Sequence, residues 1–135
     1  MTQEEFYGPA YETMKKAEGQ LLDLIALYSA AKREREGVKP VVYCCSRIKT
    51  PDSMLRKLEK RGLAQVFDAV GVRAVCAFAE DVYRLGRWLQ QQPVLCIMKE
   101  KDYYAYPKPN GYRSYHILLK IADGAGKGCR AEIQV

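Results

Sequence analysis

Several things are scarce or missing in this chain, and each removes a class of protein. No stretch approaches the ~18 consecutive apolar residues that a membrane helix needs. The N-terminus, Met1-Thr-Gln-Glu-Glu-Phe6, is acidic and has no signal-peptide pattern. Histidine occurs once, as His116. The five cysteines (Cys44, Cys45, Cys76, Cys96 and Cys129) are odd in number and show no CxxC or CxxH spacing, which argues against a zinc site. Three of them sit in apolar runs, and the group reads as buried, reduced thiols of a cytoplasmic protein. Ten glycines and six prolines are near average usage, so neither a collagen-like nor a low-complexity chain is indicated. Internal repeats and linkers are also missing. Gly124-Ala-Gly-Lys127 lacks the spacing and the Ser/Thr of a Walker A loop and reads as a turn.

What is present is a 135-residue chain, 48% hydrophobic, with a formal charge of +6. That is one domain's length with enough apolar material for a core. The charge favours an anionic partner, a nucleotide or a nucleic acid. Residues from about 7 to 36 carry apolar side chains at helical spacing (Tyr11, Met14, Ala17, Leu21, Leu24, Ile25, Tyr28) and stop at Gly37. Val41–Cys45 reads as a strand. Thr50-Pro51 reads as an N-cap and first helical residue of a helix ending before Gly62. Residues 66–79 read mostly as a buried strand, 80–92 as a helix, and 94–98, 115–122 and 129–135 as strands, the last two joined by a glycine-rich hairpin turn. The fold class is therefore α+β: a mixed β-sheet of about five strands flanked by helices. The domain divides into an N-terminal helix, about 7–36, and a sheet region, about 41–135.

The densest chemistry lies between Lys101 and His116, where cations, tyrosines and an Asn110-Gly111 turn crowd together. Lysine, arginine and hydroxyl groups suit a polyphosphate, and tyrosine faces suit a nucleobase. Tyr112 is the candidate for stacking on a base, and His116 could bond a phosphate or a sugar. A basic cluster, Arg47, Lys49, Arg56, Lys57, Lys60 and Arg61, runs from a strand end into a helix N-terminus, where an anion is already favoured. Ser53 adds a hydroxyl, and Lys57 lies on its face of the helix. The same cluster also reads as a solvated helix face. Asp68 and Glu132 each stand in an apolar strand. If those strands are neighbours, both carboxylates can face one Mg²⁺; otherwise Asp68 turns the chain and Glu132 points to solvent from an edge strand. Arg73 lies five residues after Asp68, an odd spacing that sets the two on opposite faces of a regular strand unless Gly71 bends it.

In this order, the segments resemble the synthetase domain of the RelA/SpoT family. Ser46-Arg-Ile-Lys-Thr-Pro-Asp-Ser53 with Lys57 is similar to the family's G-R-x-K-x-x-x-S segment and its following lysine. Asp68-Ala-Val-Gly-Val-Arg73 is similar to D-x-x-G-[IV]-R. Lys101-Asp-Tyr103 with Pro107–His116 is similar to K-D-Y…P-K-x-N-G-Y-[RQ]-S-x-H, and Glu132-Ile-Gln134 to E-[IV]-Q. The resemblance implies a nucleotidyltransferase-like synthetase fold. It also implies transfer of the β,γ-diphosphate of ATP to the ribose 3′-OH of GDP or GTP, with Mg²⁺ as cofactor. By position, Asp68 and Glu132 would be catalytic and bind the metal, Glu132 also taking the 3′-OH proton. Arg47 and Arg73 would sandwich adenine, and Lys49, Ser53 and Lys57 would hold ATP phosphates. On the acceptor side, Tyr112 would stack on guanine, and Lys108, Asn110, Arg113, His116 and Gln134 would complete the GDP/GTP site. Ser46 replaces the family's usual glycine. Against the family pattern the chain reads as truncated at its C-terminus, lacking the segment that in small synthetases helps build a homo-oligomer. Competing readings are an inactive guanine-nucleotide or alarmone-binding module and a tRNA 3′-end pyrophosphokinase. The chain carries no RNA-module pattern, so nucleic acid is not the expected partner.

Overall fold

In a computed structural model, which describes residues 1–62, 66 and 68–135, five strands form one mixed sheet with helices against it. In chain order the elements are α1 (Gln3–Tyr7), α2 (Ala10–Glu36), β1 (Val41–Ile48), α3 (Pro51–Arg61), β2 (Val70–Cys76), α4 (Ala79–Gln90), β3 (Leu95–Asp102), β4 (Tyr115–Ile121) and β5 (Arg130–Gln134). The strands lie side by side in the order β1-β2-β5-β4-β3. All pairings are antiparallel except β2 with β5, which is parallel.

The expected N-terminal helix, about 7–36, begins slightly later as α2, and a short helix that the sequence did not signal, α1, precedes it. Gly8 adopts φ 60 and Pro9 follows it, so α1 ends there and α2 starts afresh at Ala10. The remaining boundaries follow their local chemistry. Gly37 (φ 76) closes α2 through an N–H bond to the Arg33 carbonyl. Thr50 caps α3 by accepting from the Ser53 N–H at 3.3 Å, with Pro51 in the first turn. The strand read over 66–79 is shorter, Val70–Cys76; Phe67, within that reading, lies outside the described residues. β1 and β3 run further than their apolar cores suggested, to Ile48 and Asp102, because β2 and β4 continue to offer backbone partners.

Period-two alternation sorts every strand into two faces. One face presents Val70, Val72, Ala74, Ile117, Leu119, Ile121, Ala131 and Ile133 to the helices. Against them pack Met14, Ala17, Leu21 and Ile25 of α2 and Val82, Leu85 and Leu89 of α4, at helical spacing. Each such fully buried aliphatic side chain contributes roughly 1.5–3 kcal/mol. The turn between β4 and β5 is anchored to α2, because Gln20 donates to the Asp123 carbonyl at 2.8 Å and accepts from the Gly126 N–H at 3.0 Å. A Cβ at Gly126 would sit 2.7 Å from Ala17 Cα, so this position must be bare.

The cysteines are free, but none is fully buried: Cys44, Cys45, Cys76 and Cys129 are half-buried and Cys96 is exposed. The apolar runs holding them lie on strands with one open face or toward an edge. Burial nevertheless pushes the Cys76 thiol up to about 12 and raises Cys44 and Cys129.

Two measurements test this packing. Gly126→Ala should destabilise by about 1–3 kcal/mol through overpacking. Gly19→Ala, at a helical site with nothing within 4 Å of its new Cβ, should stabilise by about 0.5–1 kcal/mol; urea midpoints that move together would contradict the assignment. Under native conditions at pH 7.5 iodoacetamide should label Cys96 first and Cys76 last, as followed by peptide mass spectrometry.

Candidate active site

The face of the sheet turned away from α2 and α4 carries the chemistry. Register lays out two rows across it. One runs Arg47, Gly71, Glu132, Leu118 and Lys99; the next runs Cys45, Arg73, Gln134, His116 and Lys101. Glu132 thus belongs to β5, an interior strand, and not to an edge. Asp68 joins this face because it lies in the turn before β2 and not within the strand, so alternation does not bind it. The odd spacing to Arg73 is resolved that way, without a bend at Gly71.

Asp68, Glu132, Arg47, Arg73 and Gln134 line one cavity of about 360 Å³, together with Cys45, Ser46, Gly71 and Val72. Gly71 sits directly beside Glu132 in the parallel pair, and a Cβ there would meet nothing within 4 Å. The floor between the two acids is therefore backbone. Arg47 lies opposite Gly71, and Arg73 opposite Cys45. That makes the arginines diagonal neighbours, ~7–8 Å apart at their roots. A flat ring in ~3.5 Å contact with a guanidinium on each side fits such a gap.

Asp68 is the most constrained side chain. Its Oδ2 takes Lys49 Nζ at 2.9 Å and Lys57 Nζ at 2.8 Å, while Oδ1 is buried with no hydrogen-bond partner. Burial pushes the carboxyl up, but the bonds from Lys57 and Lys49 outweigh it and hold Asp68 below the ordinary value. Lys49 is itself only 8% exposed. Its backbone is fixed by α1, since the Tyr7 hydroxyl donates to the Lys49 carbonyl at 2.7 Å and Gln3 donates to the Ile48 carbonyl at 2.6 Å. Among the described residues, Lys49, Ser53, Arg56, Lys57, Lys60 and Arg61 line a second cavity of about 340 Å³. Its Ser53 hydroxyl accepts from Arg56 at 3.2 Å.

Glu132 is 8% exposed. Its Oε1 accepts from His116 Nδ1 at 3.0 Å and from Gln134 Nε2 at 3.2 Å. Burial raises this carboxyl and the His116 bond more than offsets the rise, leaving it lowered; the nearby Asp68 charge acts against that lowering. His116 Nε2 meets the Tyr112 hydroxyl at 3.0 Å, so both ring nitrogens have protein partners. The aromatic loop closes over this pair. Tyr103 packs edge-on against both His116 and Tyr112, and Lys108 Nζ lies 4.9 Å from the Tyr103 centroid and 5.6 Å from that of Tyr112. Gly111 takes φ 84, as its place in the turn requires. Asn110 folds back to accept from the Tyr112 N–H at 3.0 Å. Arg113 and Tyr112 line a further cavity of about 420 Å³, which shares Arg73 and Gln134 with the carboxylate pocket.

The candidate site residues fall into three parts: Asp68, Glu132, Arg47, Arg73 and Gln134 line the carboxylate pocket, Lys49, Ser53 and Lys57 line the cationic cradle, and Lys108, Asn110, Tyr112 and Arg113 lie in the aromatic loop, with His116 at the start of β4. Sequence reasoning gave no role to Tyr103 or to the α1 residues Gln3 and Tyr7, and it placed Arg56, Lys60 and Arg61 in the basic cluster without assigning them to the site. Tyr103 was visible inside the Lys101-Asp-Tyr motif; Gln3 and Tyr7 had no local signal, because their partners lie more than forty residues away. A larger cavity, about 760 Å³, opens between α2 and the outer edge of β1, but its charged lining residues, Arg33, Glu34 and Lys39, are all exposed. It holds none of the acids or paired lysines described above.

Fold and site together define an α+β domain with a two-carboxylate pocket set between a cationic cradle and a ring-lined loop. Residues 46–135 match the family model for the region found in RelA / SpoT proteins, and the chain belongs to the RelA/SpoT family. It is 37% identical over 93 residues to GTP pyrophosphokinase YwaC of Bacillus subtilis (strain 168), an alignment covering 63% of this chain and 44% of that one. The chain thus spans less than half of that relative's length. Among solved structures, small alarmone synthetase 2 of Bacillus subtilis superposes with a TM-score of 0.80 at 33% identity, covering 94% of this chain and 70% of that one. A GTP pyrophosphokinase family protein from Streptococcus pneumoniae gives 0.83 at 28% identity, covering 99% and 70%.

Asp68 supplies a pH test. Its folded carboxyl titrates below its ordinary value of 3.8. Its stabilising contribution is therefore complete above that value and drains away as pH falls through the folded pKa. Asp68→Asn should lose about 1–3 kcal/mol at pH 7, and the gap to wild type should close below about pH 4. Urea midpoints showing a constant gap from pH 7 to 3 would refute the assignment.

Proposed function

We propose that this domain transfers the β,γ-diphosphate of ATP to the ribose 3′-OH of GDP or GTP, giving AMP and (p)ppGpp. The observation that carries this reading is the meeting of Asp68 and Glu132 in one cavity, between a lysine- and arginine-lined cradle and a tyrosine loop. The named activities of its relatives support it. The chemistry needs a nucleophile freed of its proton, an in-line approach and neutralised phosphate charge.

In this reading adenine lies between Arg47 and Arg73, whose guanidinium planes stack on aromatic faces. Lys49, Ser53 and Lys57 receive the donor phosphates, and Arg56, Lys60 and Arg61 extend that cradle. Tyr112 stacks on guanine, with Lys108, Asn110, Arg113, His116 and Gln134 completing the acceptor site. Glu132, held ionised by its neighbours, takes the 3′-OH proton. The 3′-oxygen bonds to the β-phosphorus, the bond from that phosphorus to the α,β-bridging oxygen breaks, and the electron pair leaves with AMP.

The donor set suits Mg²⁺. Among the described residues no cluster of three or more ligating side chains occurs, and Mg²⁺ commonly takes one or two carboxylates plus substrate phosphates and water. Asp68 Oδ1, buried and without a partner, is the kind of hard oxygen such an ion takes up, at a site where an unmet acceptor otherwise costs about 1–3 kcal/mol. Asp68 and Glu132 would hold the ion, and when bound it neutralises charge on the transferring phosphates. Among the described residues no helix is long and apolar enough to cross a membrane, and five free thiols support a reducing, cytoplasmic setting.

Incubation with ATP, GDP or GTP, and Mg²⁺ should yield AMP and a guanine nucleotide carrying two further phosphates, resolved by anion-exchange chromatography. Glu132→Gln should lower kcat about 10²–10⁴-fold. Nucleotide-dependent thermal stabilisation with no AMP formed, by wild type and Glu132→Gln alike, would reduce the domain to a binding module.

A further inference from the structure

We propose that Tyr7 and Gln3 of α1 are positioning residues for the donor polyphosphate: they hold the backbone that presents Lys49 to the cationic cradle. What the cradle receives rests on the transferase reading above; the closing measurements separate the two.

Lys49 stands in the joint between β1 and α3, just past Ile48, which pairs with Val70 at the end of the β1–β2 ladder. Its peptide groups are gripped from two sides. The Lys49 N–H donates to the Ala69 carbonyl, in the turn before β2, at 2.7 Å. From the other side, the Gln3 amide donates to the Ile48 carbonyl at 2.6 Å and the Tyr7 hydroxyl to the Lys49 carbonyl at 2.7 Å. A carbonyl can only accept, so the direction of both bonds is fixed. α1 is tied in turn to the core. The Tyr11 hydroxyl of α2 donates to the Gln3 side-chain oxygen at 3.4 Å, which leaves the amide nitrogen for Ile48. The rings of Tyr7 and Tyr11 pack against the buried cluster, and Phe6 meets Tyr7 edge-on at 4.9 Å between centroids.

A lysine needs such a grip more than an arginine does. Its charge is a point on a flexible four-carbon stem, so backbone and burial must locate it. The next residue, Thr50, begins α3: its hydroxyl accepts from the Ser53 N–H at 3.3 Å and its carbonyl from the Met54 N–H at 2.9 Å. Residues 48–50 therefore set where Lys49 lies relative to Ser53 and Lys57, which line the same cavity. Neither Tyr7 nor Gln3 is among the described residues lining it. Their influence on a bound polyphosphate passes through Lys49.

Inorganic tripolyphosphate, titrated calorimetrically, probes the cradle without a base or a reaction. Tyr7→Phe keeps the ring, and Gln3→Met keeps the length but cannot donate. Each should weaken tripolyphosphate about three- to tenfold, the worth of one hydrogen bond. In a Lys49→Met background, Tyr7→Phe should cost less than about twofold, as a double-mutant cycle requires when the effect runs through Lys49. In turnover both variants should raise the ATP KM by about the same factor and leave the GDP or GTP KM within about twofold. Variants that melt at lower temperature but bind tripolyphosphate as wild type does overturn the proposal. So does an equal rise in both KM values, or a full Tyr7→Phe loss that persists without Lys49. Wild type that binds no tripolyphosphate overturns it as well. If wild type binds tripolyphosphate but forms no AMP, the transferase reading falls while the titrations still decide this one.

Discussion

Parallel pairing of β2 with β5 is the constraint on which the site depends. It sets Gly71 beside Glu132 and Arg73 beside Gln134, so motifs distant in the chain become neighbours across one ~4.8 Å strand spacing. A parallel pair demands a long crossover. Here the crossover contains α4, the hairpin of β3 and β4, and the tyrosine loop. The excursion that makes the parallel contact possible also carries the aromatic loop back over the same face. Were β5 to pair elsewhere, Glu132 would lose both Gly71 and His116 at once.

Charge balance then shapes what the pairing has assembled. Two acids on one face, Glu132 buried and Asp68 half-buried, repel each other, and the structure offsets this differently for each. Asp68 has two ammoniums on one oxygen; Glu132 has an imidazole and an amide. Both carboxyls stay lowered despite burial, so both are anionic at neutral pH. The difference lies in what the partners touch besides the acid. Lys49 and Lys57 also line the cationic cradle, whereas His116 meets Tyr112 through its other ring nitrogen.

Much of this was legible before any coordinates. Capping at Thr50-Pro51, the stops at Gly37 and Gly62 and the turn at Gly111 are local, and local chemistry reads directly from sequence. The meeting of Asp68 and Glu132 followed only from resemblance, because nothing in either segment specifies its partner strand. The periodicity argument about Asp68 and Arg73 failed for a definite reason: strand alternation was applied to a residue that lies in the turn before the strand. Gly8-Pro9 was read through as helix because the apolar spacing beyond it is strong, although glycine at positive φ and proline together end α1. The contacts of Gln3 and Tyr7 were unreadable, being side-chain bonds to backbone far along the chain. Cysteine burial was overestimated because apolar runs on a one-sided sheet still leave alternate residues half-open.

Lys108 rests its ammonium on the rings of Tyr103 and Tyr112. That face is occupied by a tenant of its own, and a planar guest cannot settle there until the cation moves off. Leaving a π-face forfeits an attraction of about 0.5–1 kcal/mol at an exposed site, which a guest bringing its own negative charge can return to the displaced lysine and an uncharged one cannot. Eviction and recompense are coupled through a single side chain, so this surface admits charged visitors more readily than neutral ones of identical ring structure.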